Sequence, residues 1–177
     1  MSSLTVRRKS RETDVTVRAA EAASVDTGLP FFDHMLSTLL RYADLGWEVR
    51  ARGDLQHHIM EDVAIAVGVA LQRHIPARAV RYGQRTLPMD DALVEAVVDV
   101  GGRAYYRGKL PNALYEHVLR SISENARITL HVRVRRGRDR HHIIEAAMKA
   151  VGLALRQALA EGEDVFSTKG AVDLEVE

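Results

Sequence analysis

The sequence predicts an α+β domain built by internal duplication of two β-α-β-α half-domains, each a sheet with its helices packed on one face. Three observations lead to this prediction. The chain repeats itself at an offset of 84 residues, each half contains alternating β-branched segments, and apolar residues at helical spacing follow them. The predicted halves are residues 1–85 and 86–177, and together they form one compact domain.

The repeat is clearest in a motif rich in histidine. The segment His-His-Ile-Met-Glu at 57–61 matches His-His-Ile-Ile-Glu at 141–145. The same offset relates Val-Gly-Val-Ala-Leu at 67–71 to Val-Gly-Leu-Ala-Leu at 151–155. The segment Phe-Asp-His-Met-Leu at 32–36 matches Tyr-Glu-His-Val-Leu at 115–119 at an offset of 83. Because one insertion or deletion accounts for all the matches, chance is a poor explanation and duplication is a good one.

Each half predicts the same order of elements. Alternating β-branched residues predict the strands, and apolar residues at a period near 3.6 predict the helices. The predicted elements are strands at 13–18 and 93–100, helices at about 30–40 and 112–123, strands at 45–51 and 128–134, and long helices from the paired histidines to near residues 74 and 159.

The composition is that of a globular protein, with 46% hydrophobic and 28% charged residues. The net charge of +1 gives no electrostatic reason to expect a nucleic-acid or membrane-surface partner. The longest apolar run, at 64–71, is too short to span a bilayer. Cysteine is absent, which excludes disulfides and thiolate metal sites and fits a reducing compartment. We therefore expect a soluble, cytoplasmic protein.

The spacing within the motif indicates metal binding. His57 and Glu61 are four residues apart, so both lie on one face of a helix and can reach a single cation. His58 is rotated by about 100° around the helix axis and must serve a different cation. The second copy has the same spacing, so we expect two metals, each completed by the odd histidine of the other repeat and by His34 or His117.

Eight residues are therefore candidate metal ligands: His34, His57, His58, Glu61, His117, His141, His142 and Glu145. Three imidazoles and a carboxylate suit a borderline divalent cation such as manganese, iron or zinc. His131 is left out of this set. It lies on a predicted strand, and its counterpart in the first half is Trp47, so it breaks the symmetry.

Ordered motifs along essentially the whole chain carry a resemblance to a known family. They are Thr-Gly-Leu-Pro-Phe-Phe-Asp-His-Met-Leu at 27–36, His-His-Ile-Met-Glu-Asp-Val at 57–63, Pro-Met-Asp-Asp-Ala-Leu at 88–93, Gly-Arg at 102–103, His-His-Ile-Ile-Glu-Ala-Ala-Met-Lys-Ala at 141–150 and Ser-Thr-Lys-Gly at 167–170. Taken together, these segments resemble the signatures of the imidazoleglycerol-phosphate dehydratases.

The resemblance implies a fold like that of domain 2 of ribosomal protein S5 and two manganese ions per active site. One ion would be held by His34, His58, His141 and Glu145, and the other by His57, Glu61, His117 and His142. It also implies assembly into a homo-oligomer of about 24 subunits with sites at the subunit interfaces. These ligand sets agree with the pairing expected from helical spacing.

The resemblance further implies a hydro-lyase of histidine biosynthesis that converts D-erythro-imidazoleglycerol phosphate into imidazole acetol phosphate. The implied substrate-binding residues are Glu12, Arg81, Arg103, Ser167, Thr168 and Lys169. Guanidinium and ammonium groups are good donors to phosphate. A carboxylate must act as general base, and Glu12, Glu61 and Glu145 are the alternative candidates.

Two other functions could use the doubled motif. One is a dinuclear metallohydrolase that uses metal-bound hydroxide. The other is a metal-binding or storage shell, by analogy with helical bundles. The predicted strands at 93–100 and 128–134 disfavour the bundle. The hydrolase leaves the segment at 167–170 without a role unless its substrate is a phosphate ester.

Overall fold

The computed structural model describes residues 4–163, which fold as two four-stranded sheets and four helices. The first half contains β1 (Thr5–Lys9), β2 (Thr13–Ala19), β3 (Ser24–Asp26), α1 (Pro30–Tyr42), β4 (Trp47–Gly53) and α2 (Gln56–His74). The second contains β5 (Tyr82–Met89), β6 (Ala92–Asp99), β7 (Tyr105–Gly108), α3 (Ala113–Ala126), β8 (Thr129–Arg136) and α4 (Arg140–Ala158).

The two sheets have the same topology. Their strand orders are β1-β2-β4-β3 and β5-β6-β8-β7, and in each sheet the last pair in this order is parallel while the other pairs are antiparallel. This equivalence confirms the internally duplicated α+β fold. Each half also contains two strands that the sequence did not indicate. In the first half these are β1, with a single buried residue, and β3, with three residues, and both are too weakly patterned to detect.

The expected boundary between residues 85 and 86 falls inside β5. We propose that the halves divide instead in the segment 75–81, between α2 and β5, because a division there leaves every strand whole.

The helices form two inner layers between the sheets. In β2 and β4, alternate side chains such as Val15, Val17 and Val49 are buried toward α2. In the second half, α4 covers β5 and β6 in the same way. The opposite face of the first sheet is charged and contains the ion pairs Arg7–Asp14 and Arg18–Glu48. None of the helices in residues 4–163 has the length and apolar character that crossing a bilayer requires.

The long helix of each half packs against the short helix of the other half, α2 on α3 and α4 on α1. Glycine permits both crossings. A Cβ added at Gly68 would lie 2.8 Å from the carbonyl oxygen of Ile122, and one added at Gly152 would lie 2.6 Å from that of Leu39. Real Cβ atoms do not approach backbone oxygens so closely, so the crossings need glycine at these two repeat-related positions.

Replacing Gly152 by alanine tests the α4–α1 contact. At an unhindered helix position this change stabilises by about 1 kcal/mol. Here we expect a loss of about 1–3 kcal/mol, because the added methyl group forces two backbones apart. Thermal unfolding of the metal-free protein measures the effect, with the exposed Gln72→Ala on α2 as the control. An unfolding midpoint for Gly152→Ala at or above that of the wild type would contradict the close crossing.

Candidate metal centre

The first cluster of metal-ligand candidates forms where α2 meets α3. The Nε2 atom of His117 lies 3.3 Å from Oε1 of Glu61, and Nε2 of His57 lies 3.5 Å from Oε2 of the same carboxylate. The rings of His57 and His117 are stacked, with centroids 5.6 Å apart. One ligand atom from each residue falls within 4.8 Å of the others, which is a spacing that one cation could bridge.

The chemistry of this cluster fits a divalent metal. Two imidazoles and a carboxylate are the donors that borderline cations prefer. The buried Nε2 of His117 has no hydrogen-bond partner among residues 4–163. Because a buried polar atom without a partner is costly, a ligand at this atom would satisfy it.

The second cluster is the repeat-related counterpart, where α4 meets α1. The Nε2 atom of His141 lies 3.0 Å from Oε2 of Glu145, and Nε2 of His34 lies 3.9 Å from the same oxygen. The ring of Phe31 packs edge-on against His141 at 5.3 Å. Each cluster therefore combines a His/Glu pair from one half with a single histidine from the other half. Helical spacing predicted the His/Glu pairs and left open which of His34 and His117 joins each of them.

Both histidine motifs are positioned by the first turn of a long helix, α2 or α4. In α4 the N-cap residue Asp139 accepts hydrogen bonds from the backbone N–H groups of His141 and His142, so the paired histidines occupy the first turn. In α2 the carboxylate of Asp54 accepts from the backbone of Leu55, directly before the helix. Both motifs thus project from the N-terminal end of a long helix, just beyond the strand that precedes it.

The second histidine of each pair points away from its own cluster. His58 contacts Asp54, with Nδ1 2.9 Å from Oδ1, and lies 3.7 Å from Glu12. His142 contacts Asp91, with Nδ1 2.7 Å from Oδ1, and its Nε2 lies 3.3 Å from Asp90. Among residues 4–163, the three-residue metal cluster at α2 includes neither of these two histidines.

The carboxylates shift the pKa values of these histidines. The hydrogen bond to Asp54 raises the pKa of His58, and that to Asp91 raises the pKa of His142. In return, the hydrogen bond from His142 and two backbone N–H groups lower the pKa of Asp91 to about 2.

The two glutamates have different surroundings. Glu61 is 38% exposed, whereas Glu145 is buried and its Oε1 lies 2.8 Å from the ammonium of Lys149. Burial alone would raise the pKa of Glu145, but hydrogen bonds from Lys149 and His141 outweigh it and leave the pKa below its usual value. At the position of Lys149, the first repeat has Ile65. The two clusters are therefore alike in ligands and unlike in electrostatics.

The β1–β2 hairpin, which carries Glu12, is tied to α2 by a buried carboxylate. Asp62 accepts a hydrogen bond from Arg8 at 2.8 Å and another from the hydroxyl of Thr13. Since Asp62 follows Glu61 directly, this network fixes the turn of the hairpin beside the first motif. The corresponding residue of the second repeat is Ala146, which cannot form such a contact.

The two arginines among the predicted phosphate-binding residues lie elsewhere. The guanidinium of Arg81 forms two hydrogen bonds to Asp99, with Nε 2.8 Å from Oδ1. Arg103 is exposed nearby, and its carbonyl oxygen accepts from Thr129. Ser167, Thr168 and Lys169 lie outside the described residues.

These arginines and His142 lie near opposite ends of β6. Asp99 ends β6, whereas Asp91 precedes its first residue and contacts His142. The eight residues of β6 extend about 23 Å at 3.3 Å per residue. One small substrate cannot span that distance within a single chain.

Two histidines stand apart from the clusters. The ring of His131 lies 5.5 Å from that of Tyr105, and the ring of His74 contacts that of Trp47. Sequence reasoning assigned no role to Asp54, Asp91 or Lys149, although each contacts a candidate ligand. The i,i+4 spacing of Asp54 to His58 and of Glu145 to Lys149 was a usable signal for two of them.

Known proteins are similar to this chain in sequence. The family model described as imidazoleglycerol-phosphate dehydratase matches residues 27–155. An imidazoleglycerol-phosphate dehydratase of Pyrobaculum aerophilum is 46% identical, with 93% of this chain and 97% of that protein covered. Its counterpart in Anaeromyxobacter sp. (strain K) is 44% identical, with 94% and 90% covered.

Solved structures of imidazoleglycerol-phosphate dehydratases have a similar fold. A crystal structure of the Pyrococcus furiosus enzyme superposes with a TM-score of 0.87 at 35% identity, covering 94% of this chain and 99% of that one. The Staphylococcus aureus enzyme superposes with a TM-score of 0.77 at 29% identity, covering 89% and 99%.

The duplicated fold and these relatives define a carbon–oxygen lyase that eliminates water. The chain belongs to the imidazoleglycerol-phosphate dehydratase family, whose members act in histidine biosynthesis. Its reaction is the loss of water from D-erythro-imidazoleglycerol phosphate to give imidazole acetol phosphate. Membership in this family sets aside the metallohydrolase and the storage shell.

Replacing Asp62 by asparagine tests the link between α2 and the β1–β2 hairpin. We expect a loss of about 1–3 kcal/mol, because the neutral amide forms no ion pair with Arg8 and has one acceptor oxygen where the buried carboxylate has two. Hydrogen–deuterium exchange should accelerate in residues 5–19 and stay unchanged in the β5–β6 hairpin. Asp26→Asn is the control, since its ion pair with Arg52 is exposed. Equal exchange in both variants would contradict the proposed link.

Proposed function

We propose that the dehydratase depends on manganese and that each active site contains two ions. One ion is held by His34, His58, His141 and Glu145, and the other by His57, Glu61, His117 and His142. The observation that carries this proposal is the convergence of a histidine from one half on a His/Glu pair from the other half, which occurs twice. When bound, manganese supplies Lewis-acid stabilisation of negative charge and a template for the substrate.

We propose further that subunits share their sites within an oligomer of about 24 copies. Two observations support sharing. His58 and His142 point away from the clusters of their own chain. The arginines proposed to bind phosphate lie a strand length away from His142, so they serve a site different from the one completed by that histidine.

We propose that Arg81 and Arg103 donate hydrogen bonds to the phosphate of the substrate, together with Ser167, Thr168 and Lys169. Asp99 holds the guanidinium of Arg81 by two bonds, which fixes its plane while part of it stays accessible. A histidine-biosynthetic role also supports a cytoplasmic location for the enzyme.

Among the candidate bases, Glu12 is the carboxylate best placed to accept a proton. In Glu145, one oxygen is bound by Lys149 and the other by His141. Both oxygens of Glu61 face histidines. The carboxylate of Glu12 is 58% exposed beside His58, so an oxygen remains available to the substrate.

Replacing His142 by alanine should abolish turnover and manganese-dependent assembly together, because one ion loses a ligand supplied between subunits. Formation of imidazole acetol phosphate measures the first, and sedimentation velocity with and without manganese measures the second. His131→Ala, at the exposed histidine on β8, is the control and should retain both. Near-normal activity in His142→Ala would refute the ligand assignment.

Replacing Glu12 by glutamine should lower kcat by about 10²- to 10⁴-fold, since the amide cannot accept the proton. The manganese content should remain close to that of the wild type, because Glu12 is not assigned as a metal ligand. Glu21→Gln, at an exposed glutamate after β2, is the matched control. If kcat fell by less than tenfold, the base would instead be Glu61 or Glu145.

A further inference from the structure

The two histidines that turn away from their own clusters share one feature. Each has a carboxylate oxygen at its Nδ1 atom, Asp54 at 2.9 Å for His58 and Asp91 at 2.7 Å for His142. An ionised carboxylate can only accept a hydrogen bond. In the neutral form of each ring, this contact places the proton on Nδ1, and Nε2 is the atom left to bind a cation.

The carboxylate of Asp91 is itself held in place. Its Oδ2 accepts hydrogen bonds from the backbone N–H groups of Arg138, at 2.7 Å, and Asp139, at 3.3 Å. These residues form the turn that leads into α4, so the carboxylate joins the β5–β6 hairpin to the start of the helix. Because one oxygen is fixed by the turn, the other is fixed relative to His142.

The two carboxylates do not derive from the same position of the repeat. Asp54 precedes α2, four residues before His58, and its counterpart at the repeat offset is Arg138. Asp91 comes from the hairpin between β5 and β6. Two different positions thus supply the closest Nδ1 contact to two repeat-related histidines. In the first half the hairpin residue that precedes β2, Glu12, lies farther from Nδ1 of His58, at 3.7 Å.

We infer that Asp91 is a positioning residue, which holds His142 with Nε2 directed toward the metal of a neighbouring subunit, and that Asp54 does the same for His58. This inference rests on the proposed manganese centre. A hydrogen bond of this kind fixes the tautomer and the plane of a metal-binding imidazole and increases its basicity. Asp90, whose carboxylate is 68% exposed near Nε2, would yield that atom to the cation.

Replacement of Asp91 by asparagine separates the two roles of this side chain. The amide oxygen can still accept from the turn, so the start of α4 is retained. The amide nitrogen then faces His142 and can only donate, which favours the opposite tautomer with the proton on Nε2. The asparagine side chain has nearly the same volume as the aspartate, but it no longer fixes the orientation of His142.

The test is a manganese titration of the full-length metal-free protein, in which the electron paramagnetic resonance signal reports free Mn²⁺. The wild type should bind two ions per chain. Asp91→Asn should bind one of them about 10- to 100-fold more weakly, and excess manganese should restore full occupancy. The matched control is Asp14→Asn, an aspartate in the other hairpin that pairs with Arg7 and contacts no histidine. It should bind as the wild type does.

Thermal unfolding of the metal-free proteins separates a positioning role from a role in folding. The unfolding midpoint of Asp91→Asn should lie within about 2–4 °C of that of the control, which corresponds to about 1 kcal/mol. If Asp91→Asn does not fold, Asp54→Asn decides, and it should weaken the ion held by His58. Wild-type affinity for both ions in the folded variant would overturn the inference and leave the manganese proposal intact. A wild type that binds no manganese would instead refute the proposed function itself.

Discussion

The backbones of α2 and α3, and those of α1 and α4, meet closely because Gly68 and Gly152 have no side chains to separate them. Because each short helix packs against the long helix of the other half, His117 lies beside the first motif and His34 beside the second. A wider crossing would move each single histidine outward by the width of a methyl group or more. The ligand clusters depend on that spacing, since the distances from imidazole to carboxylate are already 3.3 Å and 3.9 Å.

The duplication has produced two clusters that have equivalent candidate ligands and different supporting contacts. Lys149 neutralises Glu145, whereas the first repeat has Ile65 at that position and leaves Glu61 more exposed. Asp62 anchors the β1–β2 hairpin, and the second repeat has Ala146 there. As a result, the turn that carries Glu12 is held against α2. The two halves therefore differ in the charge around their glutamates and in the anchoring of their hairpins, although their folds are equivalent.

Much of the architecture could be predicted from the sequence because the histidine motifs occur twice in register. The offset of 84 residues identified the duplication, and the i,i+4 spacing identified which histidine accompanies each glutamate. Helical geometry also separated His57 from His58. These are local properties, and a single chain is enough to reveal them.

Other features were inaccessible because they depend on tertiary contacts. β3, with three residues, is stabilised by pairing with β4, and its own pattern is too short to be distinctive. The bond from Asp91 to His142 joins residues 51 positions apart. Arg81 was expected as a phosphate donor, but the bidentate contact with Asp99 could not be foreseen from an arginine-rich sequence.

The interleaved helix layers also bear on how such a chain could have arisen. Alone, a half-length polypeptide would expose the apolar side of its long helix, which the short helix of the other half covers here. An ancestor of half the length would have needed a second copy of itself to bury that surface, and its candidate metal ligands would have met only in the pair. Fusion of two such copies into one chain would remove the concentration dependence of that encounter and would allow each copy to diverge.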